Sequence, residues 1–467
     1  MSTHKPSRQS SPPSPGHRKK TPKARVPRWI GISILLAGVA SLSATAGAIL
    51  AVSLSSAPLL QSQLTPEEAE VFNHDEPIST GSSLRLPRLT RSVNILVLGV
   101  KVLTSDLDNP PSELRNLGYH ALVNSFEGLS DTMLLIRFNP HTNQLTVMSI
   151  PRDTRTYVRG GLAKINEANL YGGPALTAET ISELLGGVAI DRYVRINVQG
   201  VEKLVEALGG ITLNVPKDMK YQDDSQHLYI NLKAGEQRLN GDQALQFLRY
   251  RYDDYGDIGR IQRQQMLMRA VVEQALTPAT IARLPKILSV IQSNVDTNLK
   301  VDELLALVGF AAQTNRSNIQ MLMLPGDFSA PDDFDLSYWL PNYGQIDQLV
   351  EQYFGYGVER YQTASDPSYL RVAIQDSTGD EIAVQSLIDD LYDMGYYNVF
   401  VDQNWGQEIQ ELEVTRILAQ RGDVQSAETL YRFLGIGEVR VESTGNLYSD
   451  ITIQLGKDWL DEHGDEL

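Results

Sequence analysis

The chain of 467 residues contains no cysteine. That absence removes a disulfide framework, a thiolate nucleophile and any thiolate metal site, and it fits either side of a membrane. Three catalytic signatures are missing as well: no GxxxxGK[ST] loop, no HExxH and no GxSxG occurs. Nucleotide-driven, zinc-protease and serine-hydrolase chemistry lose their support with them. Charge is missing from Trp29 to Pro66, and acidic residues are missing from 1–28, where eight Lys and Arg stand amid Ser and Pro. With those eight removed from the total of 41, everything downstream holds 33 basic against 57 acidic residues, a balance of −24. DNA binding needs a basic face, so no nucleic-acid partner is expected.

The uncharged stretch 29–52 is long enough to cross a hydrocarbon core as a transmembrane helix. The basic tail 1–28 then lies in the cytoplasm and everything after the span lies outside. The rival is a cleaved signal peptide, with Ala44-Thr45-Ala46 and Ala46-Gly47-Ala48 as small-residue cleavage sites. Residues 53–91, rich in Ser, Pro and Thr, read as a stalk.

The length exceeds what one core usually supports, so two folded domains are expected. Apolar runs at Asn94–Val100, Thr132–Phe138 and Gln144–Ile150 read as buried strands. Helical periodicity appears at Thr177–Leu185, Val198–Leu208, Ile258–Leu276, Ile281–Ile291 and Val301–Ala312. Strands alternating with helices predict a layered α/β domain over 92–358, its central sheet flanked by helices. A polar linker at 359–369 leads to a smaller α/β unit at 370–457, followed by an acidic tail at 458–467.

Within this acidic chain, LRYRYDDYGDIGRIQRQQ crowds Arg249, Arg251, Arg260 and Arg263 into the span Leu248–Gln265. Converging guanidinium forks suit a phosphate or pyrophosphate better than one carboxylate. On a helix starting near Ile258, Arg260, Arg263 and Gln264 share the face of the first turns, and Leu267 and Val271 continue it as apolar positions. Asp257 can cap that helix or orient Arg260, and the unpaired N–H groups there favour an anion. The bland alternative is a solvated face paired with Asp253 and Asp254. A second cluster, Arg152 and Arg155, follows the strand ending in Ser149-Ile150-Pro151, where ligands of open α/β sheets commonly sit. Arg152 with Asp153 also reads as an internal ion pair holding the turn. Lys164-Ile165-Asn166 adds a cation, Tyr171-Gly172-Gly173 a tight turn, and Asp131 either a hard-cation ligand or a cap.

Asn94–Gly99, Ser130-Asp131-Thr132, Ser149–Arg155, Lys164–Asn166, Leu208-Gly209-Gly210, Leu239–Leu245, Arg249-Tyr250-Arg251 and Gly256–Gln264 together resemble the LytR-CpsA-Psr family, in order and spacing, over most of 92–276. Residues 370–457, with Leu455-Gly456-Lys457-Asp458 near their end, resemble the LytR C-terminal domain. The resemblance implies a membrane-anchored ligase that moves a glycopolymer from a polyprenyl-pyrophosphate carrier onto peptidoglycan, releasing polyprenyl phosphate. By resemblance, Arg152, Arg155, Arg249, Arg251, Arg260 and Arg263 hold the two phosphates and Gln264 adds a neutral hydrogen bond. Asp257, Arg152 and Arg260 are then the catalytic residues, with Asp257 orienting an arginine or deprotonating the acceptor hydroxyl. Leu267 and Val271 are expected to line an apolar slot for the polyprenyl chain.

Two departures stand out. The family usually places Asp where this chain has Lys101, to hold Mg²⁺ with the carboxylate of Asp131, and often Arg where it has Leu129. Lys101 pairing directly with pyrophosphate is one substitute, and Asp106 or Asp108 in the long Lys101–Leu129 segment is another. The rival functions are a non-catalytic binder of wall polymer or polyprenyl lipid, and a polyprenyl-pyrophosphate hydrolase.

Overall fold

The computed structural model describes residues 61–463 apart from 62–63, 73–76, 83–84, 101–125, 127, 224–227, 251–256, 312, 316–317, 331, 356–363 and 403–410. The span expected at 29–52 therefore lies outside the described residues, as do Lys101, Asp106, Asp108 and Arg251. Among the described residues no helix is long and apolar enough to cross a membrane.

The first unit is built on six strands: β1 Val93–Val100, β2 Ser130–Asn139, β3 Gln144–Ile150, β4 Arg192–Asn197, β5 Val295–Thr297 and β6 Ile319–Met323, in the order β5-β4-β1-β2-β3-β6. The β1–β2, β2–β3 and β4–β5 pairs are antiparallel; β1–β4 and β3–β6 are parallel. Strand alternation sends successive side chains to opposite faces. Met133 and Leu135 of β2, with Leu96, Met148 and Ile150, therefore pack with Ala175, Ala178 and Ile181 of helix α1 (Glu167–Leu184). Leu134, Val147 and Met321 project the other way, among Phe310, Met268 and Val272. Both faces are thus covered, as a mixed sheet with long connections requires.

Helix α2 is Val198–Leu208, α3 is Gly241–Arg249, α4 is Asp257–Ala275, α5 is Pro278–Asn294, α6 is Val301–Ala311 and α7 is Tyr343–Phe354. The Leu239–Leu245 motif is the start of α3: the Asn240 side chain accepts from Gln243 N at 2.9 Å, and Gln243 Oε1 accepts from Asn240 N at 3.0 Å, a reciprocal capping box. The predicted turn at Tyr171–Gly173 is a kink inside α1, where Gly173 takes φ 60°, ψ −150° just before Pro174. Only glycine enters that region readily.

The second unit has five strands, β7 Arg371–Asp376, β8 Asn398–Val401, β9 Arg416–Ala419, β10 Glu438–Arg440 and β11 Ile451–Leu455, in the order β8-β7-β11-β9-β10. Helices α8 (Glu381–Asp393), α9 (Val424–Leu434) and α10 (Lys457–His463) pack on it.

Two boundaries differ from expectation. The later part of the segment expected as a stalk, 53–91, belongs to the folded unit. Phe72 and Ile78 are fully buried, Phe72 meets the Tyr193 ring at 5.1 Å, and Ser79–Ser82 pairs with Arg85–Leu89. Its Ser and Pro content masked two apolar anchors. The acidic tail 458–467 likewise begins inside α10, where Trp459 is fully buried.

Candidate active site

β3 ends because Pro151 cannot donate to a ladder and holds Ile150 extended. The chain then turns, with Thr154 donating to the Pro151 carbonyl through both N (3.0 Å) and Oγ1 (2.6 Å). Trp339 N donates to the Asp153 carbonyl at 2.9 Å and pins the turn from outside. A short hairpin follows, Arg155–Val158 against Gly161–Lys164, and its register sets Arg155 opposite Lys164. This turn, the start of β2 and the first turns of α4 bring the predicted residues together.

Asp153 is the centre of the cluster. Its Oδ1 takes Lys164 Nζ at 2.7 Å, and its Oδ2 takes Arg152 Nε at 3.2 Å and Arg260 NH2 at 3.3 Å. Arg152 also reaches Asp131 Oδ1 through NH1 at 2.6 Å, and Gln264 Nε2 donates to the Asp131 carbonyl at 3.4 Å. Arg155 carries no ion pair among the described residues; its guanidinium lies 4.9 Å from the Phe334 ring centroid and 5.8 Å from that of Tyr338. Lys164 Nζ shares the Tyr338 ring at 5.5 Å. Arg152, Lys164 and Arg260 thus converge on Asp153, with Asp131 holding Arg152 from the other side.

The titration behaviour follows from this packing. Burial pushes the Asp153 carboxyl up, but Arg152, Lys164 and Arg260 outweigh it and hold the group below its ordinary 3.8. Burial pulls the Arg152 guanidinium down, and Asp131 and Asp153 more than offset this, so it stays charged. The cluster has the charge pattern of an anion site.

Arg263 departs from expectation. It is 4% exposed and donates through NH2 to the Tyr250 carbonyl at 2.6 Å, with its guanidinium 5.7 Å from the Tyr250 ring centroid. It braces α4 against the end of α3. Leu267 and Val271 follow it into a second apolar cluster with Val205, Leu213 and Phe247. The stripe continuing from Arg260 is instead Gln264, Met268 and Val272, one side of the helix over. Arg249 ends α3, one residue before the carbonyl that Arg263 holds. Asp257 is the first residue of α4, and its side chain lies outside what is described.

Asp131 is the only predicted Mg²⁺ ligand among the described residues, it is held by Arg152, and no group of three His, Asp or Glu there could hold a metal ion. Sequence reasoning missed Phe334 and Tyr338, which reach Arg155 from the loop joining the paired strands Gly326–Phe328 and Trp339–Pro341. Their signal was the PDDFDLSYW stretch, aromatic side chains set among carboxylates.

Between the sheet and α4, starting one residue beyond Asp131, a cavity of about 10 Å³ is lined by Thr132, Leu134, Val147, Gln265 and Met268, among others. The Gln265 amide, in a side chain 5% exposed, has no hydrogen-bond partner on either atom.

The model of the LytR_cpsA_psr family matches residues 61–354, and that of LytR_C, described as LytR cell envelope-related transcriptional attenuator, matches 369–459. The chain is 34% identical over 228 residues to a Bacillus cereus protein named polyisoprenyl-teichoic acid–peptidoglycan teichoic acid transferase TagU, covering 47% of this chain and 71% of that one. A TagU of Oceanobacillus iheyensis is 34% identical over 243 residues, covering 50% of this chain and 67% of the relative. Among solved structures, B. subtilis TagV is similar at 26% identity and TM-score 0.47, covering 57% of this chain and 99% of that chain. TagT bound to LIIa-WTA is similar at 23% identity and TM-score 0.44, covering 56% and 89%. On the match over 61–354, this chain belongs to the LytR-CpsA-Psr family.

Proposed function

We propose that this protein is an extracytoplasmic, membrane-anchored phosphotransferase that moves a glycopolymer from a polyprenyl-pyrophosphate carrier onto peptidoglycan through a phosphodiester. The observation that carries the reading is the convergence of Arg152, Lys164 and Arg260 on Asp153, with Arg155 beside them; Gln264, which donates to the Asp131 carbonyl next to this cluster, also lines the small, largely apolar cavity under α4. A charged head and a hydrocarbon tail meet in that order in a polyprenyl pyrophosphate. The relatives named polyisoprenyl-teichoic acid–peptidoglycan teichoic acid transferase support the reading.

In this reaction the acceptor hydroxyl oxygen bonds to the sugar-bearing phosphorus, the bond from that phosphorus to polyprenyl phosphate breaks, and the hydroxyl proton passes to a base. Guanidinium groups already in place take up the charge on the bridging and terminal oxygens without reorganising. Asp153, held ionised by three cations, orients them and is unsuited to take the proton. Asp257 is the base candidate by resemblance. The basic tail and uncharged span of 1–52 supply the anchor and the topology.

The test mixes the full chain with a polyprenyl-pyrophosphate glycan and peptidoglycan oligomers, with products read by mass spectrometry. A glycan-phosphate adduct on the oligomer is expected. Free sugar phosphate without adduct identifies a hydrolase, and unchanged lipid that co-purifies identifies a binder. Arg260→Ala should lower transfer at least a hundredfold, about 2.7 kcal/mol of lost transition-state stabilisation, and Arg260→Lys should fail nearly as badly because an ammonium lacks the bidentate fork.

A further inference from the structure

Part of the cavity wall comes from the second unit. Ser443 and Thr444, just beyond β10, line it opposite Leu134 and Met268. Their segment is fastened to the first unit at several points. Met321 N in β6 donates to the Val441 carbonyl at 2.8 Å, and Ser443 N donates to the Met321 carbonyl at 3.0 Å. Gln262 Nε2 donates to the Gly445 carbonyl at 2.9 Å, and the buried Glu442 carboxylate pairs with Arg269. The helix that presents Arg260 and Gln264 is therefore gripped by the second unit at Gln262 and again at Arg269, on both sides of the cavity.

At about 10 Å³ the cavity has the room that one water takes. A prenyl chain needs far more, so a wall has to move when the tail enters. The sheet wall is locked by its ladders on both sides. The α4 wall is braced on its far face by Arg263 and by the cluster around Leu267. To the first unit the Val441–Gly445 segment is held by the few contacts just named, while Ser443 Oγ donates to the Gln420 carbonyl and Gly445 N to Gln420 Oε1, so it moves with its own unit; the unpartnered Gln265 amide lies against the space it closes.

We propose that Val441–Gly445 is the displaceable outer wall of the donor's prenyl slot, so that the second unit sets how long a prenyl chain the site admits. The inference rests on the reading of the site as one for polyprenyl pyrophosphate. The slot is bounded on one side by the catalytic unit and on the other by its C-terminal neighbour, and donor entry shifts the one against the other.

The experiment uses the full chain and a prenyl pyrophosphate carrying a benzophenone at the distal end of its chain, with labelled peptides identified after irradiation. Labelling of the peptide containing 441–445 is expected. Binding with label confined to α4 and the sheet overturns the inference and leaves the proposed function standing; a wild-type chain that binds no prenyl pyrophosphate overturns both. Thr444→Trp, which fills the cavity from the second unit's side, should lower affinity for long-chain prenyl pyrophosphate at least tenfold and change that for inorganic pyrophosphate less than twofold. Equal loss of both ligands, or of neither, also overturns the inference.

Discussion

Asp153 decides the pH response of the cluster. Its folded-state pKa lies below the ordinary 3.8, so its contribution to stability is present above that value and is lost as pH falls through the depressed one. Asp153→Asn should therefore lower the unfolding free energy throughout pH 5–8 by about 1–3 kcal/mol, read by chemical denaturation, since Arg152, Lys164 and Arg260 lose the carboxylate on which they converge. The gap to wild type should begin to narrow as pH falls below 3.8, and a gap that stays constant below that value would contradict the assignment. Arg263 is predicted to behave unlike Arg260: Arg263→Ala removes a charged hydrogen bond and a ring contact from a buried brace. It should lower unfolding free energy by about 2–3 kcal/mol, read as a shift in denaturant midpoint at constant slope. The sequence made Arg152, Arg260 and Gln264 legible because the phosphate chemistry asks for them. It could not separate Arg260 from Arg263, whose directions on the helix differ by only about 60°. What divides them is a cluster built from Val205, Leu213 and Phe247, positions far away in the chain.

At the scale of elements, apolar runs with clear periods were legible to the residue: Gln144–Ile150 and Val198–Leu208 coincide with their expectation. The Met219–Asp223 and Leu228–Leu232 hairpin escaped, because MKYQD carries too little apolar alternation to announce a strand. The region before β1 escaped for the opposite reason. Its composition is that of a linker, and two side chains decide its structure. Phe72→Ala should cost about 3–5 kcal/mol, measured by chemical denaturation of the full chain. A stalk residue would show no effect, so a silent Phe72→Ala would restore the stalk.

At the scale of the whole molecule, charged groups from both units form one cluster: Arg269 and Glu273 from α4, with Arg416, Glu438, Arg440 and Glu442 from the second unit. Burial, reinforced by the neighbouring Arg440, pushes the Arg416 guanidinium down to about 10. None of this could be read from the sequence, because the pairing of β6 with Glu442 joins segments more than a hundred residues apart. A chain ending at 358 should retain the first unit's fold and self-associate, seen as a concentration-dependent sedimentation coefficient; a strictly monomeric product would count against the pairing's importance. The same pairing has a meaning in time. β6 leaves the ribosome about 120 residues before the segment that caps it, and at ordinary rates of synthesis that is roughly 6–24 seconds. For that interval every nascent copy presents an open β-edge to its neighbours, so crowded polysomes and a delayed second unit are the conditions under which this protein should aggregate.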